Sequence, residues 1–116
     1  MRWLLAAFVA AHGIAHLVGF AVTWQLTVSK DVPYTTTVLN GRVDLGDGGI
    51  RVVGLLWLAL AIAFAGVAAA LALRAAGAWS ALAWAIAAST CLCLVSLPAA
   101  RIGLVINALL VLLYLL

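Results

Sequence analysis

The stretch that decides the fold is Trp3-Leu4-Leu5-Ala6-Ala7-Phe8-Val9-Ala10-Ala11-His12-Gly13-Ile14-Ala15-His16-Leu17-Val18-Gly19-Phe20-Ala21-Val22-Thr23-Trp24. It contains no charged residue. A helix rising 1.5 Å per residue needs about 20 residues to cross about 30 Å of hydrocarbon. Trp3 and Trp24 stand about 31 Å apart along such a helix, the spacing of aromatic belts at the two faces of a bilayer. A cleaved leader would show a basic start at Arg2, an apolar Leu4–Ala11 core and then small residues. Here the apolar run carries on through Ile14, Leu17, Val18, Phe20 and Val22, beyond the roughly 7–15 residues a leader requires. The expectation is a retained first span.

Composition extends the argument to the whole chain. Of 116 residues, 69% are hydrophobic and 8% charged, against about 45–50% and about 25% in soluble domains. A 12 kDa globule buries only about 60–70% of its unfolded surface and cannot hide so much apolar area. A soluble monomer and a disordered chain are both excluded. Five Arg and one Lys stand against three Asp, and they are scattered singly. That pattern anchors membrane flanks and does not suit nucleic acid.

Apolar runs place spans at about 3–28, 49–74, 78–97 and 98–116, with an extramembrane loop at about 29–48. The expected fold is an all-α membrane protein, a single domain over 1–116: a four-transmembrane-helix bundle with a small β-hairpin between helices 1 and 2. Pro98 suits the first turn of the last helix, where its missing N–H costs nothing. Arg101 must then reach back to the headgroups. In the loop, Asn40-Gly41 between β-prone arms signals a two-residue turn needing positive φ at both positions. Gly46-Asp47-Gly48-Gly49 reads as a flexible turn into the second helix. A lone hairpin is marginal in water and should rest on the helix ends.

An even number of spans puts both termini on one side, with Arg2 and Arg74. Lys30, Arg42, Arg51, Arg101 and all three Asp lie on the other. Counting basic residues alone leans towards a cytoplasmic hairpin. A folded cap fits an exported loop better, so the termini are expected in the cytoplasm. The preference for Ala, Gly and Arg suggests a bacterium with a GC-rich genome, hence its cytoplasmic membrane.

His12 and His16 are the residues most suggestive of function. Four apart, they share a helix face, and they lie about 13 and about 19 Å from Trp3, straddling the midplane. Polar groups at that depth are costly and face the bundle interior. A ligand pocket or proton relay at His12, His16 and Asn107 is one reading. Helix locking by hydrogen bonds to Ser80, Ser89, Thr90, Ser96 or Asn107 is the other. Beside the histidines, Ala7, Ala11, Ala15 and Gly19 form a small-residue stripe suited to close helix approach. Gly54, Leu58, Ile62, Gly66 and Ala70 read as a packing stripe on the second helix. Trp57, Trp79 and Trp84 read as interfacial anchors.

A haem or metal site is a weaker alternative. The histidine spacing suits a shared ion, yet no carboxylate occurs in any span. Cys91 and Cys93 point about 200° apart on a helix. A small oligomeric transporter would need the membrane carboxylate that is missing. No nucleophile triad, carboxylate pair or phosphate loop appears, so hydrolase and kinase chemistry lack their parts. The partners expected are the lipid bilayer and either a second copy or a larger membrane complex. The cofactor, if any, is left open: a lipid, a quinone-like molecule or another small group.

Ala11-His12-Gly13-Ile14-Ala15-His16-Leu17-Val18-Gly19-Phe20, Gly54-Leu55-Leu56-Trp57-Leu58 and Arg101-Ile102-Gly103 through Asn107 together resemble a family of small bacterial membrane proteins. Its members carry His-Gly-x-x-His-Leu-x-Gly-Phe in the first span, Gly-Leu-Leu-Trp-Leu opening the second and Gly-x-x-x-Asn in the last. The likeness covers most of the chain. It implies a four-span bacterial membrane protein, places His12 and His16 inside the motif, leaves both cysteines outside it, and carries no reaction.

Overall fold

The computed structural model describes residues 1–116. Four helices run α1 Arg2–Thr23, α2 Gly46–Ala72, α3 Ala78–Val95 and α4 Arg101–Leu115, with a two-stranded hairpin, β1 Thr37–Val38 and β2 Val43–Asp44, between α1 and α2. The first three helices are long and apolar enough to cross a membrane, while α4 has 15 residues. The long axis measures 42 Å, close to the ~40 Å that α2 alone should span at 1.5 Å per residue. Large apolar side chains face outward along every helix, among them Ile14, Ile62, Trp84 and Leu112. In water that surface would be untenable; against acyl chains it is the expected exterior.

The core is built on a heptad seam. On α2, Ile50, Val53, Trp57, Leu60, Phe64, Val67 and Leu71 are all buried and recur in alternating steps of three and four. Val9, His12 and His16 answer them from α1 at the same spacing. That 3.5-residue period keeps two helices in contact along their whole length. Gly13 and Gly19 make the contact close. A Cβ on Gly13 would stand 2.8 Å from Cβ of Phe64, and one on Gly19 would stand 2.6 Å from the Trp57 ring. The stripe Gly54, Leu58, Ile62, Gly66, Ala70 does not serve as the packing face: Ile62 and Gly66 are exposed and only Gly54 is buried. A strict four-residue step turns about 40° round the helix each time, so it drifts off any straight seam.

Helices α3 and α4 form an antiparallel pair. Cys93 meets Gly103, where an added Cβ would lie 2.8 Å from the sulfur. Asn107 bonds Ser89, and Trp79 meets Tyr114 edge to face with centroids 5.8 Å apart. The cysteines point apart, Cys91 outward and Cys93 inward.

Element ends differ from the sequence reading in three places. Helix α1 stops at Thr23, not near 28, because Gln25 takes a left-handed φ of 55° and the Leu26 N–H turns back to the Ala21 carbonyl at 2.7 Å, capping the helix, while the Trp24 indole N–H bonds the Arg51 carbonyl. Helix α2 starts at Gly46, so Gly46-Asp47-Gly48-Gly49 is its first turn. The Asp44 carboxylate accepts the Gly46 N–H at 2.9 Å just outside the helix, and Asp47 adds negative charge where the helix dipole favours it. Helix α4 begins at Arg101, three residues after Pro98. Pro98 has no N–H with which to continue the α3 ladder, and its carbonyl instead closes a turn with the Arg101 N–H.

The hairpin is real and short. Thr37 pairs with Asp44 and Val38 with Val43, antiparallel. Asn40 and Gly41 both take positive φ, as the turn requires, and the Arg42 N–H bonds the Leu39 carbonyl. The ladder nevertheless stops before the turn, because Leu39 also adopts φ 54°. Its N–H leaves the sheet for the Val95 carbonyl at 2.8 Å, and Asn40 N–H follows to Leu97 at 3.3 Å. The hairpin thus rests on the end of α3, with Val38 buried. On the other side the Tyr34 hydroxyl donates to Asp47, a bond that pushes the Tyr34 phenol above its ordinary value.

Candidate functional site

The structure brings His12, His16 and Asn107 together. Asn107 lies at the level of Ser89 and Thr90 and reaches across to α1. All three predicted residues are at least nine-tenths buried, as is Ser89. Of the other expected partners, Thr90 joins them, Ser80 is exposed elsewhere on α3, and Ser96 sits at the hairpin end of α3.

The hydrogens in this cluster can be placed one by one from donor and acceptor chemistry. Thr90 gives its only hydroxyl hydrogen to the Ile86 carbonyl at 2.8 Å. Towards Asn107 it can therefore only accept, and the amide nitrogen of Asn107 lies 3.3 Å away. That fixes the amide. Its nitrogen also donates to Ser89 Oγ at 3.0 Å, and its oxygen faces His12 Nε2 at 2.8 Å. An amide oxygen only accepts, so His12 carries its hydrogen on Nε2. His16 Nδ1 lies 2.8 Å from the His12 carbonyl and must carry a hydrogen there. In the neutral ring, Nε2 of His16 is then an acceptor, filled by the Ser89 hydroxyl at 2.9 Å. The longer 3.3 Å approach of that hydroxyl to Asn107 Oδ1 competes for the same hydrogen.

Every ring nitrogen is now assigned, and one is left over. Nδ1 of His12 is buried without a partner. It is a lone pair, an acceptor looking for a donor.

Aromatic rings from α2 hold the imidazoles in place. Phe64 lies 5.0 Å from His12 and 5.1 Å from His16, Trp57 lies 5.3 Å from His16, and the two imidazoles meet edge to face at 4.6 Å. Trp57 is therefore a buried wall of the site, not an interfacial anchor. Its seven-residue spacing from Phe64, both on the α2 seam, is the sequence signal that would have found it. Trp79 and Trp84 do face outward.

Ala7, Ala11 and Ala15 are exposed, and of the small-residue stripe only Gly19 packs inside the bundle, against Trp57. The stripe is centred roughly a third of the way round α1 from the seam.

Between the histidines and the hairpin lies a cavity of about 180 Å³. His12, His16 and Trp57 line its deep end. Ala15, Val18 and Gly19 of α1 face Ile102, Gly103 and Ile106 of α4 across it, and Pro33, Thr35 and Val38 roof it. Ala15 and Ile102 are also exposed on the outer surface, so the cavity reaches the lipid flank between α1 and α4. A second unpartnered buried polar atom, Ser96 Oγ, belongs to a residue lining the same cavity near the roof.

As a metal site this donor set is poor. Both nitrogens of His16 are engaged in hydrogen bonds, so a shared ion would have to break the Ser89 or His12 contact to gain its second ligand. No group of three His, Cys, Asp or Glu converges anywhere in the chain. Comparison with protein-family models, with curated proteins and with solved structures finds no match.

Proposed function

We propose that the protein is a binding subunit of the bacterial cytoplasmic membrane, with both termini in the cytoplasm. It holds a lipid-soluble molecule whose polar head donates a hydrogen bond, and the head is a single hydroxylated ring such as a quinol. The observation that carries this reading is the unfilled acceptor, Nδ1 of His12, on a residue that lines a largely apolar cavity. Leaving a buried polar atom unpaired costs about 1–3 kcal/mol, which a donating ligand would recover.

Size supports a ring. An apolar cavity of about 150 Å³ holds benzene, so about 180 Å³ suits one six-membered ring with its substituents. The tail would leave between α1 and α4, where the wall is thin. Nδ1 is enclosed in this conformation, so the donor reaches it as neighbouring cavity side chains give way, with the ring still bonded to Asn107. A quinone offers only acceptors to that lone pair, whereas a quinol offers a hydroxyl. The site should therefore prefer the reduced form.

His16, Ser89, Thr90 and Asn107 have a different role, supported by their complete hydrogen bonding. They hold α1, α3 and α4 in register and fix which nitrogen of His12 stays free.

The test is a thermal-shift titration of the detergent-purified protein with a short-chain ubiquinol and the matching ubiquinone. Stabilisation by the quinol that exceeds that by the quinone, and that disappears in His12→Phe, supports the reading. Equal responses to both, or a quinol response that survives His12→Phe, would remove it.

A further inference from the structure

At the opposite end of the bundle from the hairpin lies a second cavity, of about 410 Å³. It is walled by Arg2 and Leu5 at the start of α1, Leu71 and Arg74 at the end of α2, and Ala78 and Trp79 at the start of α3. Arg2 on α1 and Arg74 in the turn after α2 share this hollow with apolar walls. Arg2 is partly buried, and its Nε is closed off without any acceptor.

No side-chain carboxylate serves these cations. The only acidic side chains are Asp31, Asp44 and Asp47, all in the loop and α2 start at the hairpin end. From Asp47 to Arg74 the helix and its cap extend about 40 Å, several times the roughly 8 Å Debye length at physiological salt. A buried guanidinium nitrogen without an acceptor is costly, and Arg2 Nε has none within the protein. An anion from the headgroup layer would supply it.

We infer that this cavity is a binding site for the phosphate of an anionic phospholipid, clasped between Arg2 and Arg74. Phosphate oxygens match the planar donor fork of arginine. The site lies where the ends of α1, α2 and α3 meet the headgroup layer, so a phosphodiester can enter from the bilayer with its acyl chains still in lipid. Leu5, Leu71 and Ala78 then cover the glycerol end of those chains, and Trp79, half exposed, sits at the depth where indoles border headgroups. This site is independent of the His12 cavity, at the other end of the molecule.

Native mass spectrometry of the protein in neutral detergent, titrated separately with dioleoyl phosphatidylglycerol and dioleoyl phosphatidylcholine, tests the inference. Phosphatidylglycerol should bind about thirtyfold more tightly than phosphatidylcholine, on the scale of two basic contacts. The double change Arg2→Gln with Arg74→Gln should abolish that preference. Arg42→Gln with Arg101→Gln, at the hairpin end, should leave it intact, and Arg2→Lys with Arg74→Lys should keep a reduced preference in a chain that retains its charge. The site is refuted if the Gln pair at Arg2 and Arg74 keeps the preference, or if the hairpin-end pair loses it to the same degree. Inorganic phosphate that displaces phosphatidylglycerol at equal concentration would refute the lipid as its source.

Discussion

The seam between α1 and α2 and the gap between α1 and α4 solve one problem in opposite ways. Along the first, glycine and aromatic side chains interlock on a heptad, and backbones approach until no Cβ fits at Gly13 or Gly19. Across the second, the helices stand apart around a cavity and are joined by the bond from His12 to Asn107 at 2.8 Å. In lipid there is no hydrophobic drive to bring helices together, so association rests on close packing or on polar bonds. This chain uses packing where it needs a wall and a polar bond where it needs an opening.

Overfilling the tight seam should do the most damage. Gly13→Val is expected to destabilise the bundle by up to about 3 kcal/mol, the upper end for overpacking. Equilibrium unfolding in mixed detergent, read by circular dichroism, measures it. A loss below that of Asn107→Leu would show that the seam is softer than its geometry suggests.

Asn107→Leu comes next. It strips the acceptor from His12 Nε2 and the donor from Ser89, at about 1–2 kcal/mol. Spin labels on α1 and α4 should report a broadened distance while an α1–α2 pair stays sharp. Broadening of both pairs would mean that the two contacts are not separable.

Ser89→Ala is gentler. It removes the hydroxyl from His16 Nε2 and should cost about 0.6 kcal/mol, the average for interhelical hydrogen bonds in membranes. It also frees the second imidazole acceptor, so quinol binding should lose its dependence on His12 alone. The His12→Phe, Ser89→Ala combination in the ubiquinol titration checks that.

The smallest effect lies in the roof of the gap. The Asp44 carboxylate accepts from the Gly46 N–H and the Thr36 hydroxyl, which hold it below the ordinary carboxylate range. A depressed folded value means that its contribution is present above the ordinary Asp range and fades as pH falls through the folded value. Amide exchange at Leu39 and Gly46 should speed up on acidification, and Asp44→Asn should flatten that dependence. Exchange that is independent of pH after correction for intrinsic rates would detach the roof from Asp44.

The sequence made the bundle, the hairpin and the inward turn of the histidines legible, because hydropathy, Asn40-Gly41 and burial cost each act locally. Asn107 was legible for the same reason: an amide at that depth needs a partner. Trp57 was harder to place. Tryptophan near a helix end reads as a headgroup anchor, and only its seven-residue spacing from Phe64 on the α2 seam marks it as a wall. The alanine stripe misled for a geometric reason, since a repeat of four precesses while the seam repeats every 3.5 residues. The free nitrogen of His12 could not be read at all. It emerges only once Thr90, two helices away, has spent its hydrogen.

The inequality of the helices matters for the surrounding membrane. Helix α2 extends about 40 Å and α4 about 22 Å, so the molecule meets the bilayer with a tall flank and a low one. Acyl chains beside the low flank must shorten, or the whole protein must lean, at a fraction of a kcal/mol per Å of disparity. The cavity mouth opens on that low flank, where lipid is most disturbed and a dissolved guest is least tightly held by its neighbours.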